Sequence, residues 1–184
     1  MKESVKIAAD AMVGLNDITL KGEIVVFGST YMSKFPLYEL INKSRLEYAV
    51  YNRSIAGLTV KEALEIVRDC IIAIRPSKVF VALGEEDEKN ENAIKHYNEI
   101  VQKMRAEMPK CQIFLIGLLG DGEYEKEFND NMRSLCDNKN VRYIRFVSPA
   151  LSNMGIYKAR FKQMSCFFRN EAPNVSQVFA MTDL

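Results

Sequence analysis

The sequence predicts a three-layer α/β/α sandwich built on a mainly parallel sheet of five strands. Two observations indicate this fold class. Short runs rich in Val, Ile, Leu and Phe recur along the chain, and stretches with helical periodicity separate them. Nearly continuous apolar strands are buried on both faces, and strands that alternate with helices form parallel sheets covered by helices. The segments predicted as strands are 23–28, 46–52, 78–83, 111–119 and 141–147.

The helices between these strands are marked by capping and by apolar stripes. Thr59 and Glu62 form a T-x-x-E capping box, and the stripe that follows continues to Ile74. Two further stripes, over 94–108 and 128–136, have the alternating spacing of three and four that one helix face requires. These patterns predict three long helices packed on the sheet.

Length and composition predict one domain over residues 1–184, with 1–20 as an N-terminal extension and 148–184 as a divergent C-terminal segment. A chain of 184 residues with 48% hydrophobic content can bury one sizeable core. The C-terminal segment is predicted either to bury Phe161, Phe167 and Phe168 under a helix or to expose them for self-association. The oligomeric state stays open.

Net charge and cysteine spacing limit the classes of partner and cofactor that we expect this chain to bind. Because 25 basic residues balance 24 acidic ones, we expect neither nucleic acid nor an anionic membrane as a partner. The four cysteines are far apart and form no C-x-x-C pair, which predicts reduced, packed thiols and no bound metal or other cofactor. The first twenty residues lack a continuous apolar stretch, so the chain is predicted to be cytoplasmic.

Any ligand site is expected at one edge of the sheet. Ligands of open parallel sheets bind where the strands end at their carboxyl termini. The loops that begin there are predicted to start at Gly28, Asn52, Gly84, Leu119 and Ser148.

Four stretches of these loops and the C-terminal segment resemble the motifs of the SGNH (GDSL-type) hydrolases. "FGSTYMSKFPL" is similar to the G-D-S turn of that family, "YNRSIAGLT" to N-R-G-I-x-G-x-T, and "VALGEED" to G-T-N-D. "RNEAPNVSQVF" is a weaker match to D-G-x-H-P. The resemblance covers residues 22 to 147 and implies a flavodoxin-like α/β/α fold with esterase or acylhydrolase activity.

The resemblance also implies roles for individual residues. Thr30 stands at the position of the nucleophilic serine, with Ser29 beside it. Gly57 and Glu86 stand where the family has the Gly and Asn of its oxyanion hole. The residues that match the supporting parts of the motifs are Gly28, Asn52, Arg53, Gly84 and Asp87.

Three departures from the family pattern predict that catalysis is impaired. Glu86 replaces an amide donor by a carboxylate, which repels the oxyanion that develops in acyl transfer. Arg169 and Ala172 stand where the family has its Asp and His. The chain has a single histidine, His96, which is predicted to lie on a helix surface away from Thr30. Without a base, a hydroxyl is a poor nucleophile at neutral pH.

The residues leave three hypotheses open. The first is a catalytically impaired relative that binds a ligand, such as a small ester or a carbohydrate-like molecule. The second is a working carboxylic ester hydrolase in which Thr30 attacks and Glu86 or Asp87 is the base. The third is a flavodoxin-like module that holds a phosphate at "GSTYMS". The same residues also have interpretations without a ligand. Ser29 or Thr30 would then only cap the following helix, and 85–88 would be a solvated acidic loop at a helix start. A metal site at 85–87 is disfavoured.

Overall fold

The sheet has five strands, all parallel, in the spatial order β2-β1-β3-β4-β5. The computed structural model describes residues 1–44, 48–146 and 153–169. The fold class predicted from the sequence is confirmed. The strands are β1 (Ile24–Gly28), β2 (Val50–Asn52), β3 (Lys78–Ala82), β4 (Gln112–Ile116) and β5 (Val141–Ile144).

Helices cover both faces of the sheet. Side chains of α1, α4, α5 and α6 share one apolar cluster with one face, and side chains of α2, α3 and α7 share a second cluster with the other face. A short 3-10 helix, Ile72–Ile74, follows α4. The helices are α1 (Glu3–Val13), α2 (Thr30–Ser33), α3 (Leu37–Ser44), α4 (Val60–Cys70), α5 (Ala93–Glu107), α6 (Glu123–Ser134) and α7 (Asn153–Ser165).

Strand β1 shows why its sequence is continuously apolar. Val25 and Phe27 point into the first cluster, whereas Ile24 and Val26 point into the second. All of them are buried, because both faces of a central parallel strand are covered by helices.

Several boundaries differ from the sequence prediction, including the end of β5, which was predicted at 147 and lies at Ile144. β2 begins only at Val50, and β4 ends at Ile116, so Leu118 and Leu119 belong to the loop that follows. Their apolar character reflects contact with a cavity and the core rather than pairing in the sheet. The helix predicted to reach Ile74 ends at Cys70, and the left-handed Arg75 (φ 46°) closes the 3-10 turn.

The described part of the C-terminal segment packs on the sheet. Phe161 and Phe168 are buried and Phe167 is partly buried, which favours the burial alternative. Below them, the buried ammonium of Lys78 donates hydrogen bonds to the carbonyls of Phe167, Phe168 and Arg169, at 2.7 to 2.8 Å. Since Lys78 begins β3, these carbonyls lie at the amino edge of the sheet.

Candidate functional site

The candidate site begins where β1 ends, at Gly28. A Cβ at Gly28 would lie 2.8 Å from the Ala82 carbonyl oxygen and 2.8 Å from Met32 Cβ, so the turn into α2 requires glycine. Ser29 follows with a completely buried hydroxyl that has no hydrogen-bond partner among the described residues. Ser29 therefore does not cap α2 through its side chain, contrary to one of the interpretations above.

Thr30, Gly57 and Glu86 meet at the start of α2. The Thr30 hydroxyl donates a hydrogen bond to Glu86 Oε1 at 2.6 Å. The Thr30 hydroxyl oxygen also accepts a hydrogen bond from the backbone N–H of Gly57 at 2.8 Å. Three positions that the sequence assigned to one cleft are thus in direct contact, although they lie in three different loops.

A second carboxylate lies beside this contact. Glu85 Oε1 accepts a hydrogen bond from the backbone N–H of Tyr31 at 2.7 Å. Part of the Glu85 side chain is exposed, but the surrounding protein excludes enough water to raise the pKa of its carboxyl, and the charge of Glu86 raises it further. The N–H groups at the start of α2 thus face an acidic group of the chain itself. This arrangement argues against the phosphate-binding hypothesis, because a phosphate there would meet two carboxylates.

Asp87 turns away from Thr30 and has a structural role. It is 2% exposed, so the acidic loop is not uniformly solvated as one interpretation held. Its Oδ2 accepts a hydrogen bond from the Val60 N–H at 2.8 Å, at the start of α4, and its Oδ1 accepts one from Asn90 Nδ2 at 3.0 Å. Of the two carboxylates considered as a base, Glu86 is the one that contacts the Thr30 hydroxyl. Among the described residues, the acidic side chains of this loop form no metal-binding cluster.

Asn52 and Arg53 hold the second loop in place. Asn52 Nδ2 donates to the Met32 carbonyl at 3.0 Å and connects this loop to α2. The Arg53 guanidinium is buried and donates to the Met12 carbonyl, to Asn16 Oδ1 and to Thr19 Oγ1. Burial lowers the pKa of Arg53 below its usual range. These contacts tie α1 and the residues after it, which the sequence left as an extension, to the site loops.

Gly84 allows the third loop to turn over the core. Its φ of 113° is strained for any residue with a side chain, and a Cβ there would lie 2.6 Å from the Phe128 ring. The Gly84 carbonyl accepts a hydrogen bond from the Tyr124 hydroxyl at 2.6 Å. Gly84 thus positions the acidic residues that follow it.

The single imidazole of the chain does not contact the Thr30 hydroxyl, which is hydrogen-bonded to Glu86 and Gly57 in the part of the chain that the structure describes. His96 lies on α5, and its Nδ1 is buried with no hydrogen-bond partner among the described residues. Arg169 lies at the amino edge of the sheet, opposite the site, so the structure does not bring it to the position that the resemblance gave it. Ala172 and the loop starting at Ser148 lie outside the described residues.

A cavity of about 110 Å³ opens next to Tyr31 and Glu85. Its lining combines acidic and aromatic side chains with apolar residues, and the apolar residues at the strand ends are called its floor below. The sequence analysis missed it because part of its lining, Gly117, Leu118, Leu119, Tyr124 and Glu125, follows β4 or lies on α6, where no motif was recognised. The lining residues are Tyr31, Ala82, Glu85, Glu88, Ile116, Gly117, Leu118, Leu119, Tyr124, Glu125 and Phe146.

Solved structures of proteins described as acylhydrolases and GDSL-like lipases share this architecture. A Streptococcus pneumonia protein named as a platelet activating factor superposes with a TM-score of 0.77 at 18% identity, over 91% of this chain and 94% of its own. A Bacteroides fragilis protein named as an acylhydrolase gives 0.67 at 12% identity, over 100% and 95%. A GDSL-like lipase from Bacteroides thetaiotaomicron gives 0.62 at 9% identity, over 95% and 93%. The chain therefore has the SGNH-hydrolase fold that its motifs indicated.

Sequence comparison adds no closer relative. No protein-family model and no curated protein sequence matches this chain. Within the described ranges, none of the helices combines the length and the apolar character that a membrane crossing requires.

Proposed function

We propose that this chain is a ligand-binding relative of the SGNH esterases and acylhydrolases whose catalytic power is impaired. The observation that carries the proposal is the set of hydrogen bonds around Thr30. Its hydroxyl is held between the Glu86 carboxylate and the Gly57 N–H, so both a nucleophile position and an oxyanion donor are already occupied.

The neighbouring donor supports the same conclusion. The Tyr31 N–H, at the start of α2, is bonded to the Glu85 carboxylate. An oxyanion in this cleft would have to displace one carboxylate and lie beside another. Loss of a single oxyanion donor typically raises the barrier by about 3 kcal/mol, and a fixed negative charge nearby raises it further.

The groups that could accept the Thr30 hydroxyl proton also support impaired catalysis. The single histidine of the chain lies on α5 and is not bonded to Thr30. A carboxylate accepts a hydroxyl proton less readily than an imidazole near neutral pH. The cleft can therefore hold a ligand while lacking an efficient proton acceptor.

One observation favours a second candidate function, a weak carboxylic ester hydrolase. The 2.6 Å bond from the Thr30 hydroxyl to Glu86 has the length expected of a nucleophile and its base. In that scheme Thr30 Oγ1 attacks the ester carbonyl carbon while Glu86 takes the hydroxyl proton, and the Gly57 N–H shifts to the new oxyanion. The oxyanion then collapses and the C–O bond to the alcohol breaks, with the proton on Glu86 passing to the departing alcohol oxygen. Water finally attacks the acyl carbon with Glu86 as base, which releases the acid and restores the Thr30 hydroxyl.

Hydrolysis of p-nitrophenyl acetate separates the two functions. We expect the wild type and Thr30→Ala to give the same rate within a factor of about two, since no transition-state interaction depends on the hydroxyl. Ser134→Ala, which removes an exposed hydroxyl from α6, is the matched control. A rate that falls at least tenfold in both Thr30→Ala and Glu86→Gln, but not in Ser134→Ala, would establish the esterase and contradict the proposal.

A further inference from the structure

The cavity beside Tyr31 has walls that define a class of ligand. We propose that it binds a small organic ammonium ion, with its charged head facing Glu85, Glu88 and Glu125 and its carbon atoms on the apolar floor. This inference rests on the ligand-binding function proposed above and adds the chemistry of the ligand.

The position and size of the cavity fit a small molecule. Ala82, Ile116 and Phe146 mark its floor at the carboxyl ends of β3, β4 and β5, where ligands of parallel sheets bind. Its volume of about 110 Å³ has room for several water molecules or for a small organic group. The cavity is next to the Thr30 contact but is formed largely by different residues.

The polar part of the lining selects against anions. Among the described residues, the cavity is lined by Glu85, Glu88 and Glu125 and by no Lys, Arg or His. The Tyr124 hydroxyl already donates to the Gly84 carbonyl, so it is not free to donate to an anionic ligand. A carboxylate or phosphate in this space would face three like charges.

The basic groups nearby lie outside the lining. The positive charge of Lys34 lowers the pKa of Glu85, and Arg160 donates a hydrogen bond to the Tyr31 hydroxyl at 2.7 Å. Burial nevertheless raises the pKa of Glu85, and Lys34 offsets this effect only in part. Lys126, Arg133 and Arg145 line a neighbouring depression together with Asp121 and Asp130, where the charges are mixed.

The apolar and aromatic lining favours an organic cation over an inorganic one. Leu118, Leu119, Ile116 and Phe146 offer no oxygen ligands from their side chains but provide surface for carbon atoms. Among the described residues, no three acidic or other ligating side chains converge as a metal would require. Tyr124, whose ring also contacts Phe128, adds aromatic surface to the lining, and aromatic surfaces attract alkylammonium ions.

Titration of the ¹⁵N-labelled protein with butylammonium, 1-butanol and butyrate tests this inference, because the three probes share a chain and differ in charge. We expect butylammonium to shift the amide signals of Gly117 and Leu118 and to bind at least tenfold more tightly than 1-butanol. Glu88→Gln and Glu85→Gln should each weaken it about three- to fivefold, as expected for one partly exposed charge pair. Glu65→Gln, which removes an exposed charge from α4 outside the cavity, should leave the affinity unchanged.

The outcomes separate this inference from the proposed function. Equal binding of butylammonium and 1-butanol, or tighter binding of butyrate, overturns the ammonium inference but leaves a ligand-binding cleft. Failure of all three probes to bind, with no Thr30-dependent hydrolysis, also overturns the inference alone. Failure of all three together with Thr30-dependent hydrolysis overturns the proposed function as well.

Discussion

Of the helices that start at the carboxyl edge of the sheet, α4 and α2 can be compared directly, because acidic side chains contact the start of each. At α4, Asp87 accepts a hydrogen bond from the Val60 N–H, and Glu62 accepts one from the Thr59 N–H at 3.2 Å. Both carboxylates are buried. The start of α4 is therefore a closed part of the core, in which each acidic group completes the helix terminus.

At α2, the same chemistry occurs on an exposed surface. Glu85 accepts a hydrogen bond from the Tyr31 N–H, and Glu86 accepts one from the Thr30 hydroxyl. Both glutamates are exposed and belong to the loop that contains the buried Asp87. Burial, rather than residue type, thus separates an acidic group that stabilises the fold from one that a ligand can approach.

The largest expected effect is at Asp87. Asp87→Ala leaves the Val60 N–H and the Asn90 amide without their buried acceptor, so we expect a loss of about 2 kcal/mol in the free energy of unfolding. Urea denaturation measures it. Asp87→Asn is the matched control, because its amide oxygen still accepts from Val60, and it should recover at least half of the loss. A loss below about 0.5 kcal/mol for Asp87→Ala would contradict the structural role of Asp87 at the start of α4, and with it the contrast between the starts of α4 and α2.

Glu62 should show a smaller effect with a defined pH dependence. Burial alone would raise its pKa, but hydrogen bonds from the Lys2 N–H and from the N–H and hydroxyl of Thr59 lower the pKa to about 2. A lowered pKa in the folded state means that this stabilisation is complete above the ordinary glutamate value and is lost as pH falls toward 2.

Glu62→Gln is expected to lower the free energy of unfolding by about 1 kcal/mol at pH 7, since the exposed Lys2 ammonium is partly screened by solvent. The difference from the wild type should shrink between pH 4.5 and pH 2.5. Glu65→Gln on the exposed face of α4 is the control and should show no such trend. A difference that does not change with pH would contradict the assignment of the stabilisation to the Glu62 charge.

The sequence predicted the fold better than the contacts of the site. The continuous apolar run of β1 and the capping box at Thr59 are local features of the sequence, so they could be recognised without the structure. The resemblance placed Thr30, Gly57 and Glu86 in one cleft, and the structure brings them together. Their mutual hydrogen bonds could not be predicted, because side-chain geometry across three loops depends on how those loops pack.

The contacts that the sequence missed join distant segments. Lys78 binds carbonyls about ninety positions later in the chain, and this contact places Arg169 at the edge opposite the site. The cavity likewise combines residues from four separate stretches of the chain. A sequence motif does not show which distant segments pack together. For this reason the alignment of 169–174 with the D-G-x-H-P motif could not reveal that Arg169 lies at the edge opposite Thr30.

The smallest expected effect is at Glu85, and its sign is opposite to that of Glu62. Because the pKa of Glu85 is raised in the folded protein, the native state binds more protons than the unfolded chain between the ordinary and the raised value. Glu85→Gln should therefore change the free energy of unfolding by no more than about 0.5 kcal/mol at pH 7. Relative to this variant, the wild type should gain stability as pH falls through that interval.

Urea denaturation of both proteins from pH 7 to pH 4 measures this difference, with Glu65→Gln again as the control for loss of an exposed charge. A Glu85→Gln variant that is less stable than the wild type by more than about 1 kcal/mol at pH 7 would show that this carboxylate is needed to hold α2. The start of α2 would then be as structural as that of α4, and a ligand could not displace Glu85 from the Tyr31 N–H without destabilising the fold.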